Sequence, residues 1–286
     1  MAELAASRLR AALALLQPRR FFLETWRTLD EQARAERAQH DGHELQPLVV
    51  LVTACVSLTL IQYLGSAFVF ADLCDYLADQ RHSVFFTDLR KGPHYVLWQL
   101  GYWASLRVLG YLVIPALVAR HVLRERLREH GLCIAGLREA GPLVALLISG
   151  ALLLVWAFSQ LPAFQAYYPF YREAGRSYFD LGLWELCYVA QFFALEFFFR
   201  GFLVLGCRRS LGSHAAFVSL LPYCMIHFGK PWPETLGAIG AGLVFATLAQ
   251  RTRSIASGFV IHAVIAVAMD LASLARLGQL PSVLFS

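Results

Sequence analysis

Charge is what this chain has least of. Asp, Glu, Lys and Arg together make up 16% of its 286 residues, where an average soluble domain carries about 25%. Lysine is nearly absent: apart from Lys91 and Lys230, all of the 25 basic residues are arginine. The six cysteines (55, 74, 133, 187, 207 and 224) contain no C-x-x-C pair, so neither a disulfide framework nor a zinc ribbon is indicated. No H-E-x-x-H helix, G-x-S-x-G elbow or Walker loop occurs, which removes the commonest soluble hydrolase and nucleotide-binding signatures. The glycines of Gly237-Ala238-Ile239-Gly240-Ala241-Gly242 follow no strand and read as small residues that let membrane helices approach.

Apolar residue is what fills the space. Hydrophobic residues reach 58% and the mean hydropathy is +0.53. Seven apolar segments, about 47–72, 94–119, 142–163, 181–206, 213–228, 234–250 and 255–275, are set against the roughly 20 residues a helix needs to cross about 30 Å of hydrocarbon. The fifth and sixth are short for full spans. Long continuous runs without period-two alternation mean helices, because backbone groups in lipid must be satisfied within the segment. The fold class expected is all-α, a polytopic transmembrane bundle of about seven segments. Residues 1–46 form a polar, arginine-rich lead, with apolar residues at helical spacing from Glu3 to Leu16 and again from Phe21 to Leu29. The lead reads as a cytoplasmic, interfacial amphipathic segment, and 47–286 as one membrane domain.

The positive charge fits topology better than nucleic-acid binding, which concentrates basic residues on one face. With the N-terminus inside, the lead, 120–141, 207–212 and 251–254 carry sixteen basic residues, against seven on the other side. That asymmetry favours an odd number of spans and a cytoplasmic N-terminus in a multi-pass protein of the cell membrane. No internal repeat supports an inverted-repeat transporter.

Ionisable residues inside the late spans each cost at least about 2.5 kcal/mol near the bilayer centre, so each needs a partner or a purpose. Glu196 and Arg200, four apart, share a helix face and can pair. They also read, more blandly, as a structural staple. His227 ends the fifth segment, with Tyr223 one turn before it, and His262 sits among apolar neighbours in the seventh. Asp270 lies two turns beyond His262, within about 80° of the same face. Glu185 and Arg107 are further ionisable residues in spans. One carboxylate and two imidazoles on three late helices could activate a water and steady the oxyanion of a peptide carbonyl. They could also form a proton relay, the transporter alternative.

At these residues the chain resembles the CAAX protease and bacteriocin-processing (CPBP, or abortive-infection) family, which includes the type 2 CAAX prenyl endopeptidases. Its pattern is E-E-x-x-x-R, F-x-x-x-H and H-x-x-x-N or D on successive late helices. Here 195–200 resembles the first motif, Tyr223 to His227 the second, and His262 to Ala266 the third. The run His227-Phe228-Gly229-Lys230-Pro231 and Thr252-Arg253-Ser254-Ile255 also agree, over a core of about 140–275. The resemblance implies an intramembrane endopeptidase acting on a protein or peptide substrate, with Glu196, His227 and His262 catalytic and Arg200, Tyr223 and Asp270 supporting them. It implies no cofactor, with a divalent metal as a minor alternative, and the lipid bilayer rather than nucleic acid as surroundings. Three positions depart from the pattern. Leu195 stands where the first glutamate is expected, Tyr223 where phenylalanine is, and Ala266 where asparagine or aspartate is. The first and third leave a second expectation open, a catalytically inactive scaffold or regulatory membrane protein of the same family.

Overall fold

Where leucine, valine and alanine run on without polar alternation, the chain forms helix. The computed structural model describes residues 17–38, 45–81 and 84–285, and among them there is no strand. The helices are α1 (Thr25–Ala38), α2 (Gln46–Leu64), α3 (Ala67–Arg81), α4 (Val84–Lys91), α5 (Tyr95–Val122), α6 (Ala135–Phe158), α7 (Pro162–Tyr167), α8 (Tyr178–Glu196), α9 (Gly206–Leu211), α10 (Ala215–Met225), α11 (Trp232–Thr252) and α12 (Ala256–Leu277). A nine-residue π-helical segment, Phe197–Leu205, joins α8 to α9. Five stretches are long and apolar enough to cross a membrane: Gln46–Leu64, Tyr95–Val122, Ala140–Phe158, Tyr178–Met225 and Ala256–Leu277. The protein is thus a polytopic helical membrane bundle.

Two of the seven expected segments take a different form. The fifth, α10, has 11 residues, about 16 Å at 1.5 Å per residue, and so crosses roughly half of the hydrocarbon. The sixth, α11, has the length to span but is not among the five. The most apolar 18 residues of the Tyr178–Met225 stretch are 83% buried within the protein, against 11–33% for the corresponding part of the other four. That stretch is therefore the central element, with α5, α12 and α11 packed around it.

The lead departs from its expected place. Glu3–Leu16 lies outside the described residues. In α1 the apolar stripe of Leu29 and Ala33, continued by Phe21 just before it, is buried against protein rather than laid into the headgroup layer. Trp26 Nε1 donates to Thr247 Oγ1 at 3.2 Å, and Asp30 accepts from the backbone N–H of Ser213 at 2.8 Å. Gly212 makes this docking possible: its φ is +55°, and a Cβ there would sit 2.5 Å from Asp30 Oδ1. Only glycine satisfies both demands.

At the other end, residues 168–177 are fastened over the bundle by two buried carboxylates. Ser177 caps α8, accepting from Asp180 N at 3.1 Å, and Asp180 accepts in turn from Tyr171 Oη at 2.9 Å. Asp270 of α12 accepts from Phe170 N at 2.9 Å and from Trp184 Nε1 at 2.8 Å. The fastening positions the residues between α8 and α12 where the ionisable groups meet.

Candidate active site

One face of α8 repeats every four residues: Asp180, Trp184, Tyr188, Phe192 and Glu196. Successive rings lie in contact, Trp184 to Tyr188 at 4.7 Å and Tyr188 to Phe192 at 4.7 Å between centroids. Phe192 then meets the ring of His262 at 4.5 Å. Glu196 is the next residue on that face. Its Oε1 accepts a hydrogen bond from His262 Nδ1 at 3.0 Å, joining α8 to α12.

The approach needs room on α12. Gly258, one turn before His262, supplies it: a Cβ at this position would lie 2.4 Å from Glu196 Oε2. The sequence pattern did not single out Gly258, although its i, i+4 spacing to His262 was a signal that could have done so.

Arg200 follows within the π segment. Its Nε is 3.6 Å from Glu196 Oε2, close enough for charge attraction but too long for a hydrogen bond. The guanidinium lies over the Tyr223 ring, 4.0 Å from its centroid, a stacking worth about 0.5–2 kcal/mol. Arg200 is 1% exposed, yet among the described residues none of its three guanidinium nitrogens has a hydrogen-bond partner of good geometry. Such buried donors are costly unless they serve something.

His227 lies just beyond the end of α10. Its Nδ1 is 2.8 Å from the carbonyl oxygen of Tyr223. A carbonyl only accepts, so Nδ1 carries the proton and Nε2 keeps its lone pair. The Tyr223 ring is 4.8 Å from His227 and 6.3 Å from His262. The short α10 thus holds His227 one turn beyond Tyr223, against the same cluster. Glu196, Arg200, His227 and His262 therefore gather around Tyr223.

Two expectations meet a different geometry. Asp270 does not stand near Glu196: it is eight residues, about 12 Å, along α12 from His262, and its two oxygens are taken by Phe170 and Trp184. It holds the fold rather than replacing the missing side chain of Ala266. Leu195, in the first-glutamate position, is 5% exposed and belongs to the hydrophobic core. Among the described residues, no three of His, Cys, Asp and Glu gather as a metal-ligand set. Glu185 has both carboxylate oxygens buried without a hydrogen-bond partner among the described residues, and Arg107 stacks on Trp103 at 3.8 Å from the ring centroid.

Comparison with known proteins bears on this constellation. Residues 177–268 match the family model described as Type II CAAX prenyl endopeptidase Rce1-like. No curated protein matches the chain, and no solved structure does. The matched segment, about a third of the chain, runs from the Ser177 cap through Glu196, Arg200 and His227 to just past His262, inside the 140–275 core expected from the sequence. Through these residues the chain is similar to the type II CAAX prenyl endopeptidases of the CAAX protease and bacteriocin-processing family.

Proposed function

We propose that the protein is an intramembrane endopeptidase that hydrolyses a peptide bond of a protein or peptide substrate within the bilayer, using no cofactor. The hydrogen bond from His262 Nδ1 to Glu196 Oε1 carries the reading. With Nδ1–H donated to an ionised Glu196, His262 Nε2 presents a lone pair, and Glu196 fixes the tautomer and steadies the imidazolium that forms. A carboxylate supporting an imidazole in this way is a recurrent hydrolytic arrangement.

In the reaction, His262 Nε2 takes a proton from water while the water oxygen bonds to the substrate carbonyl carbon. The carbonyl π electrons move to oxygen, and the Arg200 N–H groups, which find no acceptor of good geometry among the described residues, are the donors for that oxyanion. His227 Nε2 accepts the second hydrogen of the same water. Collapse of the intermediate breaks the C–N bond, and the imidazolium proton passes to the leaving nitrogen. The products are a carboxylic acid and an amine, and the acid's remaining water proton passes through the His227 imidazole to the amine, leaving a carboxylate and an ammonium. In this assignment Glu196 supports the imidazole of the third motif, and the absence of a glutamate at Leu195 is tolerated. Wild-type protein in liposomes should cleave membrane-anchored peptides, and His262→Ala should not. Full activity in His262→Ala would exclude the assignment.

A second reading, an inactive scaffold, draws on Leu195 and Ala266. Leu195 is packed into the core, and the side chain that could have replaced Ala266, Asp270, is engaged elsewhere. Substrate binding without turnover by the wild type would favour it.

The basic loops 120–141, 207–212 and 251–254 and the docked α1 meet at one end of the bundle, as Arg209 with Glu125 and Arg251 with Thr25 attest. That clustering supports the orientation with the N-terminus and this end in the cytoplasm of a cell-membrane protein.

A further inference from the structure

Far from Glu196, at the end of the bundle where the basic loops meet, lies a cavity of about 110 Å³. Four arginines from three separate segments line it: Arg128, Arg208, Arg209 and Arg253. Only two carboxylates, Glu125 and Glu129, line it with them. The available carboxylates gather on one of the four. Arg209 has Glu125 Oε1 at 3.4 Å, Glu36 Oε2 at 3.9 Å and Glu129 Oε2 at 4.0 Å, while Arg208 has only Glu36 Oε1, at 3.9 Å. Among the described residues, no carboxylate oxygen comes within 4.0 Å of Arg128 or Arg253. Glu125 is further committed to His130, whose Nε2 lies 2.9 Å from it, and to Gln46. His130 also lines the cavity; it is 1% exposed, and its Nδ1 has no hydrogen-bond partner among the described residues.

The local backbone serves this gathering. Arg253 adopts the left-handed conformation at the end of α11, with φ +54°, which turns the chain sharply between α11 and α12. Gly131, with φ +81°, accepts a hydrogen bond from Ile255 N at 3.0 Å, tying the 123–134 loop to that turn. Like charges are thus held beside one another by fixed backbone, in a space large enough for a tetrahedral oxyanion. Mutual repulsion is unfavourable unless an anion lies among them, and arginine forks suit phosphate oxygens in particular. Basic pockets at the cytoplasmic ends of membrane helices are suited to phosphorylated head groups.

We propose that this cavity is a phosphate-binding site, filled by the phosphate of a lipid head group or by free phosphate. It stands apart from the peptidase reading and does not depend on it.

The test uses the full-length protein in detergent. Thermal unfolding is followed with inorganic phosphate and with sodium chloride at matched ionic strength, and native mass spectrometry compares retained phosphatidic acid with retained phosphatidylcholine. Phosphate should raise Tm beyond the chloride control. The shift should vanish in Arg128→Gln/Arg253→Asn, where asparagine keeps the left-handed turn accessible. Preferential retention of phosphatidic acid, by about tenfold and displaced by inorganic phosphate, would assign the site to lipid. A phosphate shift without lipid preference would assign it to the free anion. Arg128 is exposed, so Arg128→Gln alone serves if the double variant does not fold, and it should weaken the shift. A phosphate effect no larger than that of chloride, with no lipid preference, overturns the proposal, as does a shift unchanged in these variants.

Discussion

Glu196 and His262, 66 residues apart in the chain, are joined by a 3.0 Å hydrogen bond between Oε1 and Nδ1. The same carboxylate has Arg200 Nε at 3.6 Å from its other oxygen. Glu196 thus sits between a cation and an imidazole, with its hydrogen bond given to the imidazole.

Glu196→Gln separates these two relationships. The amide can still accept from His262, so the geometry survives while the charge is lost. Cleavage in a liposome assay should fall by about 10²–10⁴, the usual contribution of a supported acid–base group. Thermal stability should also fall, because Arg200 becomes an uncompensated buried cation, a loss of about 3–5 kcal/mol. Glu196→Gln/Arg200→Gln should recover much of that stability and remain inactive. Stability that stays low in the double variant would mean the ion contact is not what the charge serves.

Gly258→Ala places a methyl group where the Glu196 carboxylate lies. The expected outcome is a folded protein, destabilised by about 1–3 kcal/mol, with cleavage reduced at least as strongly as in Glu196→Gln. Unchanged turnover would show that the carboxylate need not occupy this seat.

Leu195→Glu restores the first motif in letters only. Position 195 faces the hydrophobic core, where an unpaired carboxylate is unfavourable by several kcal/mol. The variant should lose thermal stability and gain no cleavage. A gain of activity from an inactive wild type would instead establish the scaffold reading.

Asp270→Asn tests a structural role. The new amide can accept from only one of Phe170 N and Trp184 Nε1, leaving one buried donor unpaired at a cost of about 1–3 kcal/mol. Tm should fall, while turnover at a temperature where the variant is folded should change little. Abolished turnover at unchanged Tm would return Asp270 to the chemistry.

Acid should weaken the cluster around Glu125 in a defined direction. Burial alone would raise the Glu125 carboxyl, but hydrogen bonds from His130 and Gln46, with the charge of Arg209, outweigh burial and hold it below its ordinary value of 4.5. Its folded value is the lower one. The stabilisation is therefore complete above about 4.5 and is lost as pH falls through the folded value. Tm should drop with pH in that window, and Glu125→Gln should flatten the dependence. Equal slopes in wild type and variant would contradict the assignment.

How far the sequence reached differs from residue to residue. Glu196, Arg200, His227 and His262 were legible because ionisable groups in apolar runs are costly, and their four-residue spacings fix shared helix faces. Which imidazole Glu196 would choose was not legible, since helical periodicity says nothing of the rotation of α8 against α12. Asp270 illustrates the same limit. Its angular distance from His262 allowed a place in the site, but a loop 100 residues earlier in the chain supplies the backbone N–H that claims it. The lead is a third case: its amphipathic stripe could have faced lipid or protein, and the fit of Asp30 against Gly212 and Ser213 chose protein.

The sequence by itself determined that the chain is a helical membrane protein, which residues are too polar to lie idle in its spans, and which family pattern they follow. Those properties come from solvation costs and from periods of 3.6 residues, both local. Only the tertiary structure decided that Glu196 meets His262 over Gly258, that Arg200 lies on Tyr223, and that four arginines from three distant segments share one cavity. These depend on how whole helices rotate, shorten and pack against one another, and that is fixed by shape complementarity among many side chains at once.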